Sequence, residues 1–264
     1  MRRRHLAWQG ERVVDGDAGR VVVVTGGSRG MGREMCRAFA AQGDRVVVAS
    51  RKAPACESLA AELRDEFGAT ALGIGAHVGR WADCDALVDR VLHEFGRIDV
   101  LVNNAGMSPL YPSLDEVTEE LFDKVIAVNL RGAFRLGSRV GALMAERGGG
   151  SIVNISSIAA VEPSPVELPY ATAKAGLNAL TVGLARAYAP AVRVNTVMPG
   201  PFRTDIATNW PPEVLERFED GTIPLRRVGE ADEIVGAVLY LTGPSASYTT
   251  GATIKIDGGL AWST

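Results

Sequence analysis

Tyr170 and Lys174 are the residues of this 264-residue chain whose types and spacing could do chemistry. They stand four apart in a segment, from about Leu168 to Ala189, that reads as a helix. Four residues make a little over one turn, so both side chains leave one face about 6 Å apart along the axis. A phenol titrates near pH 10, too high for acid–base work at neutrality. An adjacent ammonium favours the phenolate, and about 4 kcal/mol of such stabilisation would bring the titration to pH 7. Alone, such a pair is more often a structural contact than a catalyst. Two further groups bear on the choice. Ser156 and Ser157 close a strand at the end where ligands of parallel sheets lie. Asn129 falls in the middle of a long helical pattern, where its amide competes with the backbone for hydrogen bonds. The plain alternatives are a cap for Ser157 and a buried amide bracing a neighbouring loop for Asn129.

A second chemical stretch lies early in the chain. Four valines, Val21 to Val24, form a β-branched run of the kind a parallel sheet buries on both faces. Thr25-Gly26-Gly27-Ser28-Arg29-Gly30-Met31-Gly32 follows at once, then an apolar helical pattern through Met31, Met35, Ala38 and Phe39. Strand, glycine turn and helix start make a phosphate site, because bare backbone admits a pyrophosphate and free N–H groups point at it. A P-loop is excluded, since Arg33 and Glu34 stand where Lys and Ser/Thr must be. Gly26-Gly27-Ser28-Arg29-Gly30 also fits a nucleophile elbow, but the histidines are His5, His77 and His93, and that enzyme type needs a late one. A merely structural strand-to-helix turn is the remaining alternative.

The elements that must position these residues alternate. Strands are expected at Arg45–Ser50, Ala69–Ala76, Ile98–Val102, Ile152–Ile155, Val192–Val197 and Thr253–Ile256, besides the valine run. Helices are expected at about Pro54–Phe67, after a cap at Asp83, from Thr118 to Arg147 without a break, and from Asp232 to Leu241. Pro199 to Arg227 reads as irregular or short-helical. Such alternation predicts an α/β fold: a single-domain doubly wound parallel sheet of about seven strands with helices on both faces. Residues 1–18 are expected to be a disordered tail and 19–264 one dinucleotide-binding and catalytic domain.

A net charge of −3 and a pI near 5.7 argue against a nucleic-acid partner. Arg2 to Arg4 form a basic tip without an apolar stretch behind it, and no run approaches the roughly 18 residues of a membrane span. Cys36, Cys56 and Cys84 are odd in number and lack metal-ligand spacing, as expected of reduced thiols in the cytoplasm, with no metal.

Taken together the motifs resemble the short-chain dehydrogenase/reductase family over about residues 19 to 260. Its glycine pattern is similar to Gly26-x-x-x-Gly30-x-Gly32, and its Asn-Asn-Ala-Gly to Asn103–Gly106. Its catalytic Asn, Ser, Tyr and Lys are matched by Asn129, Ser157, Tyr170 and Lys174. Val194–Gly200 with Thr204 resembles the segment at the nicotinamide end, and Gly251-Ala252 with Asp257-Gly258-Gly259 the C-terminal strand. The resemblance implies a Rossmann-like fold and hydride transfer between a nicotinamide and a carbonyl or alcohol. It implies that Tyr170 is the general acid/base, that Lys174 lowers its pKa and holds the ribose, and that Ser157 bonds the substrate oxygen. Asn129 would hold a relay water behind Lys174. Two departures stand out: His77-Val78 replaces the family's Asp-Val, and Ala160 replaces a common glycine.

Charge argues for the cofactor. Ser50, Arg51 and Lys52 stand at the end of the second strand, where an NAD enzyme places a carboxylate for the ribose 2′-OH. With Arg29 in the turn, they suit a 2′-phosphate, so NADP(H) is favoured over NAD(H). The expected cofactor contacts are Gly26, Ser28, Arg29, Gly30, Met31, Gly32, Ser50, Arg51, Lys52, His77, Val78, Asn104, Ala105, Gly106, Tyr170, Lys174, Pro199, Gly200 and Thr204. The leading expectation is an NADP(H)-dependent oxidoreductase acting on a small carbonyl or alcohol. A 3-oxoacyl-thioester reductase is an alternative within the chemistry, and a non-catalytic nucleotide-sensing protein is one outside it. The pocket is expected from Met107–Pro112, Ile158–Pro169 and Pro201–Arg227, with Glu162 and Glu167 unexplained. Apolar residues around the Leu168–Ala189 helix call for a further partner, hence a homo-oligomer, and the resemblance implies a tetramer.

Overall fold

A computed structural model of the chain describes residues 19–204, 213, 216 and 218–261; the expected tail lies outside them. Strand β1 (Val21–Thr25) sends Val22 and Val24 into one core and Val21 and Val23 into the other, all buried. Burial on both faces is why the run is unbroken instead of alternating with polar residues. Helix α1 (Gly30–Ala41), strand β2 (Arg45–Ser50), helix α2 (Ala53–Phe67), strand β3 (Ala71–Gly75), helix α3 (Trp81–Phe95) and strand β4 (Val100–Asn103) follow. Helix α4 (Glu119–Ile126) passes through a π turn, Ala127–Arg131, into helix α5 (Gly132–Glu146). Then come strand β5 (Gly150–Ile155), helix α6 (Leu168–Tyr188) and strand β6 (Val192–Pro199). Strands β7 (Phe202–Arg203) and β8 (Gly229–Glu230), helix α7 (Val235–Thr242) and strand β9 (Thr253–Ile256) close the order.

The main sheet has seven parallel strands in the order β3-β2-β1-β4-β5-β6-β9. Strand β1 pairs with β2 on one side and β4 on the other, so the order reverses there and a crevice opens at the carboxyl ends. One core packs Phe39 of α1, Leu63 of α2 and Leu241 of α7 on the sheet; the other packs Val91 of α3, Leu136 of α5 and Leu184 of α6. A buried polar seam crosses the second core. Asn103 donates to Asn154 at 2.9 Å, and Asn154 and Thr196 each donate to the Thr181 hydroxyl at 2.8 Å. That seam fixes the rotation of α6 against three strands, and so the direction in which Tyr170 and Lys174 leave it.

Three expectations on the elements are corrected. The helix expected unbroken from Thr118 to Arg147 is divided by the π turn. Asp83 does not cap α3: Arg80 precedes the helix, and the Asp83 carboxylate instead accepts from the His77 N–H at 3.0 Å. Within the stretch read as irregular lies β7, which pairs with β8 just beyond it, and a two-residue strand leaves no periodic trace in a sequence.

Candidate active site

The nucleotide side of the crevice is set by close backbone approach. Gly26 has φ +64° and Gly30 φ +52°, in the left-handed region that favours glycine. A Cβ on Gly32 would stand 2.2 Å from the Gly26 carbonyl oxygen and 2.7 Å from the Asn104 amide nitrogen, so no side chain fits. Asn104 staples this turn, donating to the Thr25 and Gly26 carbonyls at 2.9 and 3.1 Å, while the Thr25 hydroxyl accepts from the N–H groups of Asn104 and Ala105. Thr204 meets the turn from the far side: a Cβ on Gly30 would lie 3.5 Å from it. Gly200 follows Pro199 against Asp257, where its own Cβ would come within 2.8 Å of backbone.

At the end of β2, the Ser28 and Ser50 hydroxyls lie 2.9 Å apart, and Ser50 is in turn 3.0 Å from the Cys56 sulfur. Arg29, Arg51 and Lys52, next to these serines in the chain, are exposed, and Met31 is half-buried. His77 Nδ1 accepts from the Gly79 N–H at 3.1 Å, an acceptor doing within the turn what a carboxylate would. Val78 beside it is buried against the start of α5, where a Cβ on Gly132 would stand 2.4 Å from its carbonyl oxygen.

The catalytic side depends on side-chain bonds. Asn129 lies in the π turn, and its amide takes over what the widened backbone leaves. It donates to the Val125 carbonyl at 2.9 Å and joins both polar groups of the Met107 backbone, at 2.9 and 3.1 Å. The amide therefore does brace a loop, the one that carries Gly106. A Cβ on Gly106 would stand 2.9 Å from the Asn129 oxygen and 3.6 Å from Lys174 Nζ, so the three converge. Lys174 is 3% exposed; its ammonium donates to the Ile155 carbonyl at 2.7 Å and lies 5.6 Å from the centre of the Tyr170 ring. Ser157, just beyond β5, caps a short 3-10 turn by accepting from the Ala159 N–H at 3.2 Å. Its hydroxyl is also near enough to the Tyr170 hydroxyl to favour the phenolate.

The electrostatics differ from the sequence expectation. Burial pushes Tyr170 up to about 12, opposed by the Ser157 hydroxyl and reinforced by the charge of Glu167. Tyr170 as a whole is only half-buried. Burial pulls Lys174 down to about 8. The ammonium lies near the ring and donates to the Ile155 carbonyl, and burial of the phenol outweighs the lowering expected from it.

Among the residues missed in sequence, Thr25 had a readable cue, a hydroxyl closing a strand before a glycine turn. Cys56 had none, and Tyr111 was covered only by the expected pocket stretch Met107–Pro112, its bonds unforeseen. Tyr111 bonds residues 54 and 57 positions away: its hydroxyl donates to the Pro165 carbonyl at 2.5 Å and accepts from the Leu168 N–H at 2.8 Å.

This fold, with these groups at its switch point, defines an α/β protein of the nucleotide-binding class. The family described as enoyl-(acyl carrier protein) reductase matches residues 26–261. Human dehydrogenase/reductase SDR family member 4 is 38% identical over 244 residues, 92% of this chain and 87% of its own. L-rhamnose 1-dehydrogenase (NAD(P)(+)) of Azotobacter vinelandii is 38% identical over 248 residues, 91% and 96% of the two chains. The solved structure of L-sorbose reductase from Gluconobacter frateurii, complexed with NADPH and L-sorbose, superposes with a TM-score of 0.87 at 28% identity, over 94% of this chain and 99% of that one. The chain belongs to the short-chain dehydrogenase/reductase family, whose members are nicotinamide-dependent oxidoreductases acting on alcohol and carbonyl groups. Among the described residues no cluster could hold a metal ion, and no helix is long and apolar enough to cross a membrane.

Proposed function

We propose that the protein is an NADP(H)-dependent reductase of small carbonyl compounds with Tyr170 as proton donor. The observation that carries this is the convergence of Gly106, Asn129 and Lys174 beside a phenol that burial keeps protonated, with the Ser157 hydroxyl next to it. A protonated phenol is the form that can complete a carbonyl reduction, giving its proton to the oxygen as charge develops there. Ser157 would hold that oxygen, and Lys174, with an ammonium that gives up its proton near pH 8, could pass one on toward Asn129. The nicotinamide would supply the hydride when bound.

The bare backbone at Gly26, Gly30, Gly32 and Gly106 fits a dinucleotide, because side chains there would fill the crevice or break its walls. The paired Ser28 and Ser50 hydroxyls with Arg29 and Arg51 around them fit a 2′-phosphate. L-sorbose reductase was solved with NADPH, and the rhamnose dehydrogenase is named for either cofactor, which supports hydroxylated carbonyl substrates and leaves the cofactor to experiment. Titration of the purified protein should give NADPH at least about tenfold tighter binding than NADH, as expected of charge-assisted bonds worth about 1.5–3 kcal/mol each. Equal affinities would refute the cofactor assignment. A homo-oligomer, tetrameric by family likeness, is part of the proposal: Val182 and Leu168 of α6 are exposed at 39% each. Light scattering at micromolar concentration should give a multiple of the 27.9 kDa chain, and a monomeric mass would count against it.

A further inference from the structure

Two carboxylates stand in the wall before Tyr170, and only one is accounted for. Glu162 has a partner; the Glu167 N–H donates to the Ser164 carbonyl at 3.1 Å, but its carboxylate makes no hydrogen bond or ion pair with any described residue. It is nonetheless half-buried, and burial raises its pKa. Glu167 immediately precedes α6, yet its side chain does not cap the helix. A carboxylate held partly out of water without a protein partner has lost solvation that a donor on a bound ligand would restore.

Its placement is built. Glu167 ends the 3-10 turn Pro165–Glu167, and the Tyr111 hydroxyl grips the chain on both sides of it, through the Pro165 carbonyl at 2.5 Å and the Leu168 N–H at 2.8 Å. Glu167 and Tyr170 are three positions apart, a spacing that brings side chains to one face at a helix start. Leu110, Val166 and Leu168 on the same wall are apolar and exposed.

We propose that Glu167 is a substrate-recognising carboxylate, selecting carbonyl compounds that carry a hydroxyl or ammonium donor beside the reacting carbonyl, and that Tyr111 is the residue that positions it. The proposal rests on the reading above that the reacting carbonyl binds beside Tyr170. A site that bonds a polar substrate group strongly rejects the analogue lacking it, because its own polar group is then left unpaired. Half-burial should moderate this to about 10–100-fold.

The test uses three ketones of equal size: hydroxyacetone, aminoacetone and butan-2-one, reduced with NADPH by the full chain. The wild type should favour one donor-bearing ketone over butan-2-one by at least about tenfold in kcat/KM, mainly through KM, and which one identifies the donor as hydroxyl or ammonium. Glu167→Leu should abolish the preference and raise turnover of butan-2-one, while Glu167→Gln should retain part of it. Tyr111→Phe should weaken the preference through KM with little change in kcat, and NADPH affinity should stay within about twofold in all three variants. Equal use of the three ketones by the wild type overturns the proposal, as does an equal loss on all three in Glu167→Leu. So does failure to reduce any of them while NADPH binds. A Tyr170→Phe variant that keeps both turnover and the preference would instead break the proton-donor assignment and leave Glu167 standing.

Discussion

The two walls of the crevice are held by different physics. On the nucleotide wall backbone meets backbone, and the turn is specified by what cannot be added: Gly32 has no room for a Cβ. On the catalytic wall side chains span the gaps, Asn129 to the Met107 backbone and Tyr111 to Pro165 and Leu168. There the structure is specified by polar atoms that cannot be removed. The first kind of wall suits a ligand whose shape never changes. The second can exchange one loop residue for another and meet a new substrate on the same scaffold.

The largest expected effect lies on the catalytic wall. Tyr170→Phe removes one hydroxyl and keeps the ring, and turnover should fall about 10²–10⁴-fold with NADPH affinity nearly unchanged. Single-turnover rates and cofactor titration check this, and a variant within a few-fold of the parent would mean that Tyr170 is a packing residue.

Next comes a single methyl on the nucleotide wall. Gly32→Ala should destabilise the fold by about 3 kcal/mol, since the contact at 2.2 Å is with backbone, which must shift. Urea unfolding measures it. An unperturbed midpoint would show that the turn has slack, and the contrast between the walls would dissolve.

Lys174→Met should move stability and activity in opposite directions. With its titration drawn from 10.5 to about 8 by burial, charging Lys174 in the folded state costs roughly 3 kcal/mol. Between those values the unfolded chain binds more protons than the folded one, so wild-type stability rises with pH. Removing the charge should therefore stabilise the cofactor-free protein by about 1–3 kcal/mol below pH 8, less whatever the lost bond to Ile155 contributes. The gain should vanish as pH nears 10.5, while turnover is lost at every pH. Thermal melts of both proteins across pH 6–10.5 would show it; a constant difference would mean that the buried ammonium is not what costs stability.

The parallel sheet was legible because its strands are continuous apolar runs and its helices end in glycines, as at Gly68 and Gly96, which adopt left-handed C-caps. The site residues were legible where a residue type clashed with its place. Asn129 in mid-helix looked misplaced, and the π turn is how the backbone accommodates it. What stayed hidden depends on distance in sequence. Tyr111 meets a wall more than fifty residues away. The direction of the Tyr170 shift was hidden for a different reason. Helical spacing shows that Lys174 is near, but not that burial of the phenol outweighs it.

The three cysteines give the molecule a set of internal reporters. Cys36, Cys56 and Cys84 are all free and at most 1% exposed, one beneath each of the first three helices. Burial raises Cys36 well above the usual thiol range and pushes Cys84 up to about 11, so neither reacts while its helix is docked. A thiol reagent in solution then clocks the opening of each strand–helix unit separately. Labelling followed by peptide mapping would report whether the sheet comes apart unit by unit from its β3 edge or all at once, with no probe added to the chain.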